Sequence, residues 1–466
     1  MVQVSQLEKY MEFVGEALGH ADRHAGFADY SRGLMLPIER KSVEPLAARM
    51  DPWHVSAKHQ SLHHVVAHSD WSDAAVLGRV REWVGPALQL AQGCYWIVDD
   101  TGFPKKGKHS VGVARQYCGQ LGKQDNCQVA VSLSLASEGG SIPIDWRLYL
   151  PEEWAQDAAR REKAGVPAEV EFATKPAIAL AQIRAAKAAG VPLGVVLGDA
   201  AYGAETAFRE ALSALGLKYS VGVKVSTTVW TDGSGPLPAE VKESKGRGRP
   251  AKRLRRDPAD PPSTVKEVAE SLPSRAWRTV SWREGTNQAL RSRFAAVRVR
   301  AAHRDYKRHS EREEEWLLIE WPKGEAEPLK YWLSSLPADM SLKCLADTAK
   351  MRWRIERDYQ ELKQEFGLGH YEGRGWRGFH HHATLCITAY GFLMAHRLKG
   401  GGRKKNSARS KAPALPEGYT PRGSRQNATS RTRLHRHTSR IVRHGNRQTS
   451  RALSVLWNAR GQPLTL

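Results

Sequence analysis

The spacing of apolar residues changes along this chain, and that change limits the folds open to it. From Val4 to about Gly93, apolar residues recur three or four positions apart, as in Leu7 to Leu18 and Ala75 to Leu90. This period predicts helices, which we interpret as a separate helical N-terminal domain over residues 1–92. Its loops carry basic and aromatic side chains such as Arg32, Arg40 and Trp53. These side chains suit phosphate contacts and suggest a role in DNA binding, although they are equally common on ordinary helical surfaces.

Short β-rich runs follow the helical region. The first three predict neighbouring strands of an antiparallel meander: Cys94 to Val98, Ala114 to Tyr117 and Cys127 to Ala136. Helix and strand then alternate through Lys175 to Ala189, Leu193 to Leu197, Ala204 to Leu215 and Lys218 to Lys224. Strands followed by strand–helix alternation predict a mixed α/β sheet.

The alternation stops at residue 226 and resumes near residue 330. We expect an inserted β-rich subdomain over residues 226–329, with a flexible basic loop at 231–265 that is rich in Gly and Pro. The core would then consist of residues 93–225 and 330–398 and end with two helices, Leu342 to Phe366 and His380 to Leu398. Residues 399–466 carry many Lys and Arg but one acid, Glu417, and predict a disordered basic tail.

The charge balance points to a polyanionic partner. Lys and Arg total 71 against 49 Asp and Glu, a formal net charge of +22, and this favours nucleic acid. No run of about 18 apolar residues suggests a membrane span, so we expect a cytoplasmic protein without a membrane partner. The five cysteines are widely spaced, without the Cys-x-x-Cys pairs typical of zinc sites, and predict reduced thiols that are mostly buried.

Two predicted strands end in aspartate. Asp99 and Asp100 follow the apolar run Tyr95 to Val98, and Asp199 follows Val195 to Gly198. A carboxylate at the end of a rigid strand has a fixed position, which suits a metal ligand. The small residues after Asp199 allow another group to approach closely. An Asp in this position also commonly caps the next helix or turn, so each one alone is an ambiguous signal.

A third acid lies on a predicted helix beside two cations. Arg352 is four positions before Glu356 and Lys363 is seven positions after it. At about 100° per residue, both fall within about 40° of Glu356 on the helix face. Such a carboxylate could hold a divalent metal while the flanking cations hold phosphate, although exposed salt-bridge stripes have the same spacing.

The spacing Arg352-x3-Glu356-x6-Lys363 resembles the Y-x2-R-x3-E-x6-K signature of bacterial insertion-sequence transposases of the DDE class. The run from Val98 to Gly107 resembles their first-aspartate motif, in which the catalytic Asp is followed by any residue and then Thr or Ser. That pattern selects Asp99 over Asp100.

Two further segments extend the resemblance. Gly198 to Gly203 resembles the second motif of the family, and Ile355 to Leu368 resembles the third. The three motifs stand in the family's order, and the resemblance covers residues 25 to 398, roughly the whole chain before the basic tail.

The resemblance implies an RNase H-like catalytic core in which Asp99, Asp199 and Glu356 are the catalytic, metal-binding residues. They would hold two Mg²⁺ ions about 4 Å apart, with Mn²⁺ as a substitute. Arg352 and Lys363 would anchor flanking phosphates. The implied activity is cleavage and strand transfer at the terminal inverted repeats of the protein's own element, followed by joining to target DNA, with a homodimer acting on the two ends.

One residue departs from the signature. Its tyrosine would fall at position 349, which is Ala349 in this chain. This observation motivates one alternative, a catalytically inactive DNA-binding protein derived from a transposase. Another alternative is an RNase H-like nuclease that cuts without strand transfer.

Several other residues are candidate DNA contacts. Arg247 and Arg249 lie in Gly246-Arg247-Gly248-Arg249-Pro250, a match to the short core of an AT-hook that enters the minor groove. Lys105 and Lys106 follow Asp99 closely enough to contact phosphate. Consecutive histidines on a helix cannot converge on one metal, so we expect His380, His381 and His382 to make surface or DNA-backbone contacts.

Overall fold

Five helices form the N-terminal part of the structure, a computed structural model that describes residues 5–90, 93–239, 252–284 and 289–401. Their bounds are α1 Gln6–Gly15, α2 Asp22–Leu34, α3 Val43–Met50, α4 Val55–Ala67 and α5 Asp73–Leu88. At the start of α1, the Ser5 hydroxyl accepts from the Glu8 backbone N–H and the Glu8 carboxylate accepts from the Ser5 backbone N–H. This capping box satisfies two backbone donors and fixes where the helix begins.

The last described helix, α14 Trp376–Gly401, packs against these N-terminal helices. The Tyr10 hydroxyl donates to the Thr388 carbonyl at 2.8 Å, and the Tyr30 hydroxyl lies 3.0 Å from His382 Nδ1. α14 is apolar around most of its circumference, which is the pattern of a helix buried on all sides. Buried side chains of the N-terminal helices, of α14 and of the central sheet form one hydrophobic cluster, so these parts share a core.

One mixed sheet contains the strands of the described chain. Its order is β2-β3-β1-β5-β6-β12-β11-β10-β7-β8, with β4 paired to β3 and β9 paired to β10. β1·β5 and β5·β6 are parallel and the other pairs are antiparallel, which confirms the predicted mixed α/β sheet. The bounds of the first six strands are β1 Tyr95–Pro104, β2 Ala114–Cys118, β3 Lys123–Ala136, β4 Ser141–Leu148, β5 Val195–Gly198 and β6 Tyr219–Val223.

The predicted meander of the first three strands is wrong in its pairing. β3 lies between β1 and β2 and pairs with both, and it also pairs with β4, which the sequence did not indicate. β3 can serve three partners because it is long and is buried continuously from Cys127 to Ala136. β1 also extends past its predicted end at Val98, because its pairing with β3 continues to Pro104, which lies opposite Cys127.

Short helices connect and cover these strands. They are α6 Glu152–Ala155, α7 Ala158–Lys163, α8 Lys175–Ala188, α9 Ala200–Gly203, α10 Thr206–Ala214 and α11 Val265–Ser271. α8 begins with Thr174 as its cap and buries Ile178, Gln182 and Ile183, and it packs on β3.

The strands that follow β6 extend the same sheet. They are β7 Thr228–Trp230, β8 Ser263–Thr264, β9 Arg278–Glu284, β10 Ala289–Ala301, β11 Glu315–Glu320 and β12 Lys330–Ser334. β12 returns to pair with β6, placing Tyr331 opposite Val223. The sheet here has its own apolar clusters, one around Val229, Val265 and Leu317 and another around Phe294, Trp332 and Ala349.

The segment that we expect to be a flexible loop is described on both flanks. Leu237 and Arg255 exchange backbone hydrogen bonds of 2.8 Å, and Leu254 is buried. Arg256 donates to the Asp305 carboxylate at 2.8 Å. The residues between these flanks, 240–251, and the predicted disordered tail from residue 402 onward lie outside the described residues.

The predicted helix from Leu342 to Phe366 is wrong because the chain turns within it. Two helices are present, α12 Leu342–Lys350 and α13 Trp353–Gln364, separated by a turn at Met351 and Arg352. At the end of α12, Lys350 Nζ donates to the Glu320 carboxylate of β11 at 2.6 Å and lies 4.4 Å from the centroid of the Trp282 ring. These contacts attach the end of α12 to the sheet, and the chain turns there before α13 begins.

The expectation of surface histidines on α14 is also wrong. His380, His381 and His382 are all buried. His380 Nε2 accepts from the Leu148 backbone N–H at 3.1 Å, His381 stacks on Trp71 with centroids 3.7 Å apart, and His382 Nε2 is 2.9 Å from the Gly367 carbonyl. Burial lowers the pKa of each imidazole to about 4, so the three rings are neutral packing elements rather than cations for DNA.

The five cysteines are free thiols, and Cys118, Cys127 and Cys386 are buried. Three of the five thiols are thus buried, as the sequence predicts. Across the described ranges, no helix is both long and apolar enough to cross a membrane.

Candidate active site

The first aspartate of the site lies inside β1. β1 pairs in parallel with β5 only as far as Ile97 opposite Leu197, and beyond this point it pairs with β3 alone. Asp99 therefore lies two residues past the last parallel pair of β1 with β5, and Asp199 directly follows the end of β5. Ligand sites of α/β sheets commonly form at such an edge.

Asp99 and Asp100 have different partners. Asp99 Oδ1 accepts from the Arg352 guanidinium at 3.2 Å, whereas Asp100 Oδ2 forms an ion pair with Lys175 of α8 at 2.8 Å. Successive residues of a strand point to opposite faces, which separates the two carboxylates. The structure thus brings Asp99, and not Asp100, to Arg352.

Asp199 both caps a helix and faces the same guanidinium. Its Oδ1 accepts from the Ala201 backbone N–H at 2.8 Å at the start of α9, and its Oδ2 is 3.7 Å from Arg352. The turn is tight because α9 lies directly on β6. A Cβ on Gly203 would stand 2.1 Å from the Gly222 carbonyl oxygen, so only glycine fits there.

Glu356 supplies the third carboxylate from the first turn of α13. Its Oε1 is 3.7 Å from Nη1 of Arg352, and its side chain is 59% exposed, against 15% for Asp99. The site is therefore open to solvent on the side of Glu356 and closed on the side of Asp99.

The Arg352 guanidinium forms ion pairs with all three carboxylates. Its Nη2 faces Asp99 and Asp199, and its Nη1 faces Glu356. Burial acts to lower the pKa of this guanidinium, but Asp99, Asp199 and Glu356 outweigh it and raise the pKa above its usual range. Burial likewise raises the pKa of the Asp99 carboxyl to about 7, although Arg352 opposes that rise. A cation at this position is what keeps three acids together.

In this structure the three carboxylates are too far apart to bind one metal ion together. Within the described part of the chain, no group of three or more His, Cys, Asp or Glu side chains could hold a metal ion as it stands. The Arg352 guanidinium lies between the three acids. All three offer oxygen donors, the type that Mg²⁺ and Mn²⁺ prefer, so the donor set fits a hard divalent cation.

Lys363 approaches the site from the far end of α13. Its Nζ donates to the Gly102 carbonyl at 2.9 Å and to Gln120 Oε1 at 3.2 Å, and it lies over the Phe103 ring. Burial lowers the pKa of the Lys363 amine to about 8. Lys363 thus flanks the segment of β1 that follows Asp99, on the opposite end of the helix from Arg352.

The remaining predicted DNA contacts are placed differently. Lys105 donates to the Tyr371 carbonyl at 2.8 Å, and burial lowers its pKa, whereas Lys106 is exposed. Arg247 and Arg249 lie outside the described residues.

Two tyrosines that the sequence did not single out lie against the acids. Tyr359, three residues after Glu356, hydrogen bonds to Ser132, which is paired with Asp99 across the strands. Burial, and after it the Asp99 charge, raises the pKa of Tyr359. The Tyr202 hydroxyl is buried without a partner among the described residues. The helical spacing from Glu356 was the available signal for Tyr359, because residues three apart share a face.

Position 349 lies away from this cluster of acids. Ala349 is buried on α12 in the apolar cluster that contains Val280, Phe294 and Trp332. A residue there packs against β9, β10 and β12, and the three carboxylates converge without a contribution from it.

One relative is named for transposition. The "probable transposase for insertion sequence element IS701" of Microchaete diplosiphon is 34% identical to this chain over 168 residues. The match covers 35% of this chain and 40% of that protein, so it spans less than half of the relative.

The sequence also matches the family described as DDE superfamily endonuclease over residues 14–289. That range is more than half of the chain and contains Asp99 and Asp199, while Glu356 lies beyond it and is placed in the site by the structure alone. The mixed sheet, the acids at its parallel strand ends and the extent of this match together establish that the chain belongs to the DDE superfamily endonucleases.

Proposed function

We propose that this protein is the transposase of an insertion sequence, which cuts DNA at the terminal inverted repeats of its own element and transfers the cut ends to a target. The observation that carries the proposal is the convergence of Asp99, Asp199 and Glu356 on one guanidinium. The similarity to the IS701 protein supports the insertion-sequence context.

Asp99, Asp199 and Glu356 would hold the divalent cation, Mg²⁺ or Mn²⁺. When bound, such a cation activates the attacking water or 3′-hydroxyl and stabilises the charge on the leaving oxygen. Asp99 and Asp199 are mounted on the sheet, which gives two ligands a rigid support. Glu356 is on the exposed side, where a DNA strand can reach it.

The cations around the site would position the phosphates. Arg352 lies among the three carboxylates, and Lys363 flanks the strand that carries Asp99. Guanidinium and ammonium groups at the two ends of α13 suit a backbone that runs along the helix. Cleavage and joining are the same displacement at phosphorus with different nucleophiles, so one such site serves both.

The N-terminal helices are assigned to DNA-end binding in this proposal. Trp53, between α3 and α4, is 90% exposed, so its indole is accessible to a nucleic acid. We expect Trp53→Ala to weaken binding to the element ends in an electrophoretic mobility assay, with little effect on the free energy of unfolding.

The decisive experiment measures Mg²⁺-dependent cleavage and joining of DNA that carries the element's inverted repeats, with wild type and Glu356→Gln. Glu44→Gln is the matched control because Glu44 is also an exposed acid in the first turn of a helix, α3. We expect activity in wild type and Glu44→Gln and none in Glu356→Gln, with all three proteins equally folded.

The other outcomes separate the alternatives. Binding of the ends without cleavage by wild type would favour an inactive DNA-binding derivative, whereas cleavage without joined product would favour a nuclease. A homodimer on paired ends predicts a doubling of protein mass per complex when DNA is added in analytical ultracentrifugation. A complex with one protein and one end would contradict that assembly.

A further inference from the structure

Two arginines surround one indole next to Glu356. Trp353 is the first residue of α13. The guanidinium carbon of Arg283, on β9, is 4.0 Å from the centroid of the Trp353 ring, and that of Arg354 is 5.0 Å from it. β9 belongs to the strands inserted between β6 and β12, so this cluster joins the insertion to the helix that carries the third carboxylate.

Neither guanidinium has an acidic partner within hydrogen-bonding distance among the described residues, and the Nε atoms of both are buried without a hydrogen bond. The other arginines of this helix are paired: Arg352 with the three carboxylates, and Arg357 with Glu361 at 3.2 Å. Arg283 and Arg354 therefore lack the paired acids that Arg352 and Arg357 have.

Both guanidiniums are partly buried without a hydrogen-bonded acid among the described residues. A partly buried charge without a paired counter-charge is costly.

We propose that Arg283 and Arg354, held on Trp353, form a binding site for a backbone phosphate of DNA beside Glu356. This inference rests on the proposed function, because that function brings the DNA strand whose phosphate this site would bind. Contact with the indole restricts both guanidiniums, and neither is taken up by a carboxylate within hydrogen-bonding distance among the described residues. A planar guanidinium can bind a phosphate through two N–H groups, which favours arginine at phosphate sites.

A nucleic-acid phosphate is the occupant that the surroundings favour. The formal net charge of +22 attracts polyanions, and the cluster lies beside an acid of the proposed active site. A strand whose scissile phosphate reaches Asp99, Asp199 and Glu356 must continue past one end of the acid cluster, and Arg283 and Arg354 lie next to Glu356. The inserted strands would thereby hold the DNA on the side of Glu356.

The test compares Arg283→Gln and Arg354→Gln with Arg300→Gln in binding to duplex DNA without divalent metal. Arg300, on the adjacent β10, is the matched control, because its guanidinium is already paired with Glu311 at 3.4 Å and with Glu314 at 2.9 Å. All three changes remove one positive charge. The readout is the dependence of the dissociation constant on salt concentration, whose slope falls by about 1 for each phosphate that the protein no longer neutralises.

We expect a smaller slope and weaker binding for Arg283→Gln and Arg354→Gln, an unchanged slope for Arg300→Gln, and no decrease of thermal stability in the two site variants without DNA. Equal slopes for all four proteins, equal decreases in all three variants, or no DNA binding by wild type would overturn the proposal. The binding assay needs no metal, so a missing slope difference bears on the phosphate site alone. Failure of cleavage is seen separately, in the experiment with Glu356→Gln.

Discussion

Arg352 donates a hydrogen bond of 3.2 Å to Asp99 across 253 positions of sequence. The same guanidinium reaches Asp199 and Glu356, so three acids, from β1, from the residue after β5 and from α13, share one positive charge. A side chain in this position acts on the stability of the metal-free protein as well as on its affinity for cations.

Arg352→Gln should destabilise the protein in metal-free buffer by about 1–3 kcal/mol, the usual contribution of hydrogen bonds to charged groups, because three carboxylates lose their counter-charge. Mg²⁺ or Ca²⁺ should restore more stability to this variant than to wild type, since the cation then supplies the missing charge. Urea denaturation with and without the cation measures both effects. Arg352→Lys keeps the charge, so its free energy of unfolding should lie between those of wild type and Arg352→Gln. Equal stability of all three proteins would contradict the role given to the guanidinium.

His381→Phe should reduce the acid sensitivity of the fold. The pKa of His381 is lowered from the ordinary 6.5 to about 4, chiefly by burial, so its contribution to stability is present above pH 6.5 and is lost as the pH falls toward 4. The decrease is on the order of 3 kcal/mol at pH 4, and phenylalanine keeps the stack on Trp71 without binding a proton.

The measurement for this variant is the free energy of unfolding between pH 7.5 and 4.5, relative to wild type. His396→Phe, at an exposed position of the same helix, is the control for the replacement of an imidazole by a phenyl ring. An identical slope for wild type and His381→Phe would mean that His381 is protonated in the fold or that acid unfolding begins elsewhere.

Lys350→Met should destabilise the fold by about 3–5 kcal/mol, because it leaves the Glu320 carboxylate buried without its partner. Glu320 is 3% exposed and Lys350 is 17% exposed, so water cannot take the place of the ammonium group. The double variant with Glu320→Gln should recover a large part of the stability, since no buried charge then remains. A double-mutant cycle by chemical denaturation tests this, and simple additivity of the two single changes would argue against a coupled pair.

Gly203→Ala should disturb the turn that presents Asp199. Its new methyl group would collide with the Gly222 backbone, which cannot move without displacing β6. We expect a decrease in stability together with weaker binding of divalent cations by titration calorimetry. Gly85→Ala in α5 is the control, because nothing lies within 4 Å of its added Cβ; it should be neutral or stabilise by up to about 1 kcal/mol.

The sequence predicted the local elements of the site more successfully than their assembly. The apolar runs before Asp99 and Asp199 and the helix around Glu356 are present, because each is specified by residues close in sequence. The placement of β3 between β1 and β2 depends on pairings between distant residues, which no local period encodes.

Two further errors have the same physical origin. The turn at Met351 and Arg352 lies next to the contact of Lys350 with Glu320 of β11, and the turn itself contains no proline or glycine that would predict it. The three histidines of α14 are polar by composition and buried by packing against Trp71, Leu148 and Gly367. Tertiary contacts decide both features.

The neighbouring strands β6 and β12 are far apart in the chain, with one ending at Val223 and the other beginning at Lys330. During synthesis on the ribosome, both aspartates emerge long before Arg352 and Glu356. A nascent chain at that stage has two acids without their counter-charge and lacks the third. The last of the proposed catalytic carboxylates is therefore made only when translation reaches residue 356, and a product interrupted before that point would lack one of the three acids.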